Sequence, residues 1–414
     1  MASGGILAYP AFVRFWIADA VSNLGTFVSG LALQLLLIQA LHANQTELGL
    51  IRTAQWLPYL LFGLIAGAVV DRMRRRPALI VADIACAVLF GVAGTLALAG
   101  ALSVPLLAVL VFGAGAASMF FQAAHQSLLP NLVPLSMLPV ANSRLAQTMS
   151  AAQSAGPLVA GALVRFLSAP IAILVDAASY AVSAALLGTV RTTETVPQRH
   201  PDRHLWRELK EGARWVYRHR TLASYAISLH LWFFFNSLIT TVLVFFASVE
   251  LHLDALTIGV ILACAGLTGV IGAGLAPRLG DRFGLGRVYT AAEWLSPIAY
   301  GFVLLAKPGW PGIAALVGSQ LLFGLGLGLT GPLSMSYRNA VTPDRLRARM
   351  NATIRSPNWG SIAVSAPLGG WLAATWGNRP AIAVGIGGLL VAATVVTFSS
   401  FRSAQMPDGD DARN

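Results

Sequence analysis

The run Pro77-Ala-Leu-Ile-Val-Ala-Asp83-Ile-Ala-Cys86 opens a stretch that continues to Ser143, and Asp83 is its only charged side chain. A soluble domain exposes a polar side chain every few positions. A run this long with one charge offers no such surface, and it has room for two spans of about 20 residues with a turn between them. The same pattern extends in both directions. Of the 414 residues 56% are hydrophobic and 11% charged, where soluble proteins carry roughly 25% charged residues. Apolar segments fall at 11–40, 48–70, 77–100, 104–128, 141–167, 170–190, 221–249, 257–280, 286–306, 312–338, 350–376 and 379–401. Lipid offers no partner to an open backbone, so each segment is expected to be a helix. The fold class is an all-α membrane protein of twelve transmembrane helices.

The charges then orient the chain. If the termini and the loops after even-numbered spans share one side, that side holds every one of the 28 Lys and Arg residues except Arg52, Arg165, Lys307 and Arg379. The positive-inside bias makes this side cytoplasmic, with both termini inside. The net charge of +11 follows from the same bias. A nucleic-acid footprint needs a basic soluble face, whereas these arginines sit in short loops. The longest loop, 191–220, carries eight basic and four acidic residues, and Leu205, Leu209, Ala213 and Val216 recur in it at helical spacing. It reads as an amphipathic helix on the cytoplasmic surface. The expected organisation is a six-helix half at 1–190, this linker at 191–220, a second half at 221–401 and a polar, disordered tail at 402–414. Before the first span, nothing matches a cleavable signal pattern.

Landmarks repeat at one interval. Asp71-Arg72 follows span 2 and Asp281-Arg282 follows span 8; Gly156-Pro157 lies in span 5 and Ala366-Pro367 in span 11. Each pair is separated by 210 residues. Val133-Pro134 with Asn142 matches Thr342-Pro343 with Asn351 within one residue of that interval. Three agreements in one order imply two six-helix, pseudo-symmetric halves in parallel orientation, as in many secondary transporters, whose site lies between halves near mid-membrane.

On these residues the chain resembles the major facilitator superfamily. Gly67-Ala-Val-Val-Asp71-Arg72-Met-Arg74-Arg75-Arg76 is similar to that family's signature loop, and Asp281-Arg282-Phe283-Gly284 with Arg287 looks like its counterpart. Ser127-Leu-Leu-Pro130-Asn-Leu-Val-Pro134, Asp176-Ala-Ala-Ser179-Tyr180 and Leu209-Lys210-Glu211-Gly212 resemble the drug:proton antiporter branch that includes macrolide-efflux and enterobactin-exporter proteins. The resemblance covers nearly the whole chain. It implies the major facilitator fold, a monomer in the bacterial inner membrane, and export of a small amphipathic molecule (drug, siderophore or related metabolite) by alternating access in exchange for protons. A metabolite importer or uniporter of the same fold is the main alternative, and a non-transporting receptor or intramembrane enzyme a remote one.

The resemblance also assigns roles. Gly67, Asp71, Arg72, Arg75 and Arg76, with Asp281 and Arg282, form a gating loop in which the acid engages a neighbouring helix end and basic groups to latch one state. Topology alone accounts for most of the arginines. Gly156, Pro157 and Gly161, with Pro367, form an antiporter-like kink, although Ala162 stands where a second glycine is common; a generic membrane kink is the alternative. Spans 1, 4, 7 and 10 line the cavity in the resembled fold. This makes Asn23, Gln34, Phe120, Phe121, Gln122, Trp232, Phe235, Asn236, Met335 and Tyr337 substrate candidates, half of which should simply pack.

Four acids lie inside spans: Asp19, Asp83, Asp176 and Glu293. A charge at mid-membrane costs at least about 2.5–3.5 kcal/mol, so each needs a partner, a water path or a proton. Asp176 is expected to be structural and Asp83 to pair with a cytoplasmic-side arginine such as Arg144. Asp19 and Glu293 are the leading proton-coupling candidates, with Asp83 and His125 behind them, and neither Asp19 nor Glu293 is expected to have a counterpart in the other half. Related exporters often carry an acid where Thr26 follows Gly25, and an arginine where His125 stands.

Enzyme chemistry has no foothold. There is no G-x-x-x-x-G-K-[ST] loop and no H-E-x-x-H pattern, and His125 and His230 lie in different halves. Gly326-Leu-Gly328-Leu-Thr-Gly331 matches a dinucleotide pattern by letter, but inside span 10 it reads as close helix packing. Cys86 and Cys264 fall within spans as small apolar residues. No cofactor, metal or nucleic acid is expected; the partners are a small molecule, protons and the bilayer.

Overall fold

A computed structural model describes residues 5–70, 73–192 and 205–406 of the chain. Twelve long helical segments among them lie where the hydropathy places them. The first six are α1 (Pro10–Gln39), α2 (Gln45–Val70), α3 (Arg75–Leu98), α4 (Val104–Leu128), α5 (Leu138–Phe166) and α6 (Ala169–Thr189). After the shorter α7 (Leu205–Arg218) come α8 (Leu222–Phe245), α9 (Ala255–Phe283), α10 (Leu285–Glu293) with α11 (Leu295–Leu305), α12 (Trp310–Ala340), α13 (Asp344–Trp376) and α14 (Asn378–Thr397). Among the described residues nine helices are long and apolar enough to cross a membrane. α5 and α13 fall short because even their most apolar stretches carry polar and small residues: Gln153, Ser154 and Arg165 in one, Ser361, Ser365, Gly369 and Gly370 in the other.

Helix ends obey local chemistry. At α2, Asn44 and Glu47 cap each other, the Glu47 amide donating to Asn44 Oδ1 at 3.0 Å and the Asn44 amide to Glu47 Oε2 at 2.8 Å. This reciprocal box satisfies two amides that the helix itself leaves unpaired. Asp254 does the same for α9, accepting from the amides of Leu256 and Thr257 at 2.9 and 3.1 Å.

The expected span at 286–306 is broken at Trp294 into α10 and α11. Pro297 explains the break. It has no amide hydrogen to return to the carbonyl four residues back, which is that of Glu293. A π-helical turn, Phe246–Glu250, ends α8.

Two compact units form. One is Met1–Pro201 with Asp254–Val260, the other Asp202–Leu253 with Ile261–Asn414. In the first, α1 packs on α5 and α6, α3 on α4 and α6, and α2 on α4. In the second, α8 packs on α13 and α14, α12 on α10 and α11, and α11 on α14. Aligning α1 with α8 turns one list of pairings into the other, as a parallel repeat requires. The remaining pairing, α9 with α12, is glycine-mediated. A Cβ on Gly272 would stand 2.6 Å from the Leu325 carbonyl, and one on Gly328 would collide with that of Gly269. The Gly326-x-Gly328 sequence is therefore a helix-crossing device.

α7 belongs to the second unit. Arg349 of α13 bonds Glu208 at 3.3 Å and also Glu211; Arg345 bonds Glu211 at 3.2 Å. Trp215 Nε1 donates to Thr342 Oγ1 at 3.3 Å, and Val216 is fully buried. The expected disordered tail is ordered at its start. Phe401 is fully buried against Tyr225, Tyr289 and Tyr337, and the Gly286 amide donates to the Ala404 carbonyl at 3.1 Å. Residues 407–414 lie outside the described residues.

Candidate functional site

In the first unit, α1 and α4 bring Asp19 and His125 together. Asp19 Oδ1 lies 2.9 Å from His125 Nε2, with the two side chains 8% and 19% exposed. Phe15, one turn before Asp19, and Phe121, one turn before His125, close over the imidazole at ring distances of 4.7 and 5.8 Å. Trp16 Nε1 donates to Thr148 Oγ1 at 2.7 Å and ties α1 to α5 beside the pair. The sequence offers these two residues as separate candidates; the fold makes them one group. The contact is an ion-pair approach rather than a hydrogen bond, since His125 Nε2 has no hydrogen-bond partner among the described residues.

Asp83 is 1% exposed and sits beside Ser183 of α6. It does not pair with Arg144, which reaches only to Gln147 at 3.3 Å on its own helix, because Arg144 occupies the exposed face of α5. Glu293 is 5% exposed at the end of α10, beside Tyr289 one turn back. Positions 83 and 293 are 210 residues apart and fall on the equivalent helices α3 and α10. The expectation that Glu293 lacks a counterpart is thus corrected: Asp83 is its match, whereas Asp19 and Asp176 face Leu229 and Ile386 in that register. Asp83 Oδ2 and Glu293 Oε2 each lack a hydrogen-bond partner among the described residues. Asp176 is fully buried and accepts from Ser29 of α1 and, at 3.1 Å, from Ser179. Thr26 bonds the Tyr180 hydroxyl at 2.9 Å in the same α1–α6 seam.

The other candidates separate by position. Gln122 Nε2 donates to the Tyr59 hydroxyl at 3.1 Å. Asn236 accepts from Tyr300 at 2.8 Å. Asn23 and Gln34 are half-buried on α1, and Met335 is 46% exposed. Phe120 and Phe121 pack on the core of the first unit. Trp232 is buried, bonded to Ser296 at 3.1 Å and stacked on Phe323; Phe235 packs against Gly388. Tyr337 is core, its hydroxyl 2.7 Å from Thr221 Oγ1. His230 is also partnered: Nδ1 lies 2.6 Å from Asn358 Oδ1, so it carries the proton there, and Nε2 accepts from Tyr217 at 2.8 Å.

Gly67 lies in the last turns of α2, and Asp71 and Arg72 lie outside the described residues. Arg75 and Arg76 start α3, and Arg76 Nε donates to the Leu187 carbonyl at 2.9 Å. Asp281 and Arg282 form the exposed last turn of α9 rather than a loop. Pro157 and Pro367 sit inside α5 and α13. A Cβ on Gly161 would stand 2.5 Å from the Ala255 carbonyl and 3.1 Å from Gly259 Cα, and one on Gly156 would strike Phe27. Both glycines are there because another backbone passes at contact distance.

Tyr289, Ser183 and Trp16 are the site neighbours that the sequence does not single out. Tyr289, four residues before Glu293, can be found from helical spacing alone; the other two depend on tertiary packing.

Twelve long helical segments in two repeated sets, with acids buried within them, make up the fold. The sequence matches the transmembrane secretion effector family over residues 5–413, and the chain belongs to that family of major facilitator transporters. Solved structures agree in fold. A point mutant of the nucleoside transporter NupG superposes with a TM-score of 0.77 at 11% identity, over 94% of this chain and 99% of that one. A bacterial homologue of the iron transporter ferroportin in the inward-facing state gives 0.76 at 17%, over 97% and 100%. A bacterial homologue of the human lysosomal transporter Spinster, inward-facing and occupied, gives 0.74 at 14%, over 98% and 100%. No curated protein matches the sequence.

Proposed function

We propose that the protein is a secondary active exporter of a small amphipathic molecule, drug, siderophore or related metabolite, working by alternating access in exchange for protons. The observation that carries this reading is the buried contact of Asp19 with His125 at 2.9 Å. A carboxylate inside a span is costly unless it is paired or protonated. A pair that alternates between touching each other and separating to take up a proton supplies the switch that coupling needs. Asp83 and Glu293, each with an oxygen that lacks a donor among the described residues, are the other carboxyls available to a proton. Asn23, Gln34, Gln122, Asn236 and Met335, with the neighbouring rings, suit a ligand that is part apolar and part polar. The Asp71-Arg72 and Asp281-Arg282 repeats act as latches, and Gly156, Pro157, Gly161 and Pro367 set helix crossings that limit leak. The chain works as a monomer in the bacterial inner membrane.

The test is accumulation of candidate substrates in inside-out vesicles under an imposed proton gradient. Accumulation that stops when the gradient is collapsed supports coupling, and flux indifferent to the gradient makes the protein a uniporter. Asp71→Asn is expected to slow turnover with little change in substrate affinity; unchanged turnover removes the latch.

A further inference from the structure

Three arginines converge where α1 begins and α6 ends. Arg14, Arg76 and Arg191 line a cleft of about 560 Å³ together with Gly188 and Thr189. A second hollow of about 430 Å³ shares Arg14 and Arg191 and adds Pro10 and Ala11. No Asp or Glu among the described residues lines either hollow. Arg14 Nη1 donates to the Thr189 carbonyl at 2.8 Å; Arg76 donates to Leu187 at 2.9 Å and to Gly188. These bonds cap the C-terminal carbonyls of α6, where cations are favoured. Capping fixes two guanidinium groups in place, and Arg191 adds a third that takes no part in the capping. The result is a rigid cluster of planar donors, the arrangement that suits phosphate oxygens.

What sits below the cluster decides which phosphate. Val182 and Val175 of α6 are 48% and 42% exposed. They stand seven and fourteen residues before Thr189, which lines the cleft, so they continue its outer face as a stripe along α6. An exposed branched-apolar face on a membrane helix is a bed for hydrocarbon. A free phosphate uses the arginines and ignores the stripe; a phospholipid uses both. We propose that this cleft binds the phosphodiester headgroup of an anionic phospholipid, with its acyl chains against the outer face of α6. The site is independent of the transport reading and of which side of the membrane this end faces.

Native mass spectrometry of the detergent-purified full chain tests it, with phosphatidylglycerol, phosphatidylcholine and inorganic phosphate as probes. The wild type should retain phosphatidylglycerol over phosphatidylcholine, and each arginine removed should lower that preference by about fivefold. Arg191→Glu is the primary variant because it leaves the α6 caps intact; Arg14→Ala with Arg191→Ala is the second. Arg402→Ala, in the other unit, should leave the preference unchanged. Phosphatidylglycerol should also raise the unfolding temperature of the wild type more than that of Arg191→Glu. An unchanged preference in Arg191→Glu overturns the proposal. So does displacement of phosphatidylglycerol by equimolar inorganic phosphate, which would make the cleft a free-anion site.

Discussion

Asp19 and His125 stand 106 positions apart in the chain and 2.9 Å apart in the fold. If the two act as one proton-bearing group, their substitutions cannot be additive. Asp19→Asn and His125→Gln should each lower gradient-driven accumulation by about tenfold or more while leaving gradient-free counterflow near the wild-type rate, and the double variant should lose no more than either single one. A double variant whose defect is the product of the two singles would mean independent roles. Little of this pairing is legible in the sequence. Each residue stands out alone, Asp19 as an acid in a span and His125 as a departure from arginine, but α1–α4 proximity is a property of packing. The Asp83–Glu293 match is legible, since the 210-residue register that relates Asp71 to Asp281 relates these two acids as well. The expectation of an unmatched Glu293 fails because the equivalent of a residue on α10 lies on α3, and Asp19 lies on α1. The Asp83–Arg144 pairing fails for a reason that hydropathy does not carry: which face of α5 the arginine occupies.

At the scale of elements, α7 is held by charge and rings rather than by span-like apolarity. Arg349 serves both Glu208 and Glu211, and all three are about one-third exposed. Exposed pairs of this kind contribute roughly 0–1 kcal/mol. Arg349→Ala should therefore leave global unfolding nearly unchanged and raise protease cleavage within 205–218 severalfold; unaltered cleavage would show that Trp215 and Val216 suffice. The joint between α7 and α8 has its own pH dependence. His219 Nδ1 accepts from the amides of Thr221 and Leu222 at 3.4 Å each, and burial lowers its pKa from the usual 6.5. With the folded value depressed, the neutral acceptor is favoured, so its contribution is complete above pH 6.5 and is lost as pH falls through the folded value. Protection of the Thr221 and Leu222 amides, corrected for intrinsic exchange, should drop below pH 6.5 in the wild type and stay level in His219→Asn. The amphipathic helix is visible from its spacing, and the α10–α11 break is visible in Pro297, given the i−4 rule. The side of the chain that α7 joins is not visible, because Arg345 and Arg349 look like ordinary cytoplasmic charges until Glu208 and Glu211 meet them.

For the whole molecule, the repeat is the organising fact. The halves pair their helices in the same pattern, which is why hydropathy and the 210-residue interval recover the architecture so fully: lipid permits few alternatives to helices, and duplication permits few alternatives to this order. With twelve spans and the charge asymmetry of the loops, both termini should lie in the cytoplasm. Reporter fusions after residue 406 and before residue 5, one active only in the cytoplasm and one only outside, should agree on the inside. A split result would mean an odd number of spans.

The attachment of α7 through Arg345, Arg349 and Trp215 also dictates where this polypeptide tolerates being cut. A break placed between Thr192 and Leu205 leaves every described bond of α7 on the C-terminal fragment. A break after Arg218 would strand that helix on the wrong piece, away from its anchors. Co-expression as two chains should therefore succeed with the first cut and fail with the second, which makes the stretch before Leu205 the natural seam for split reporters and inserted tags.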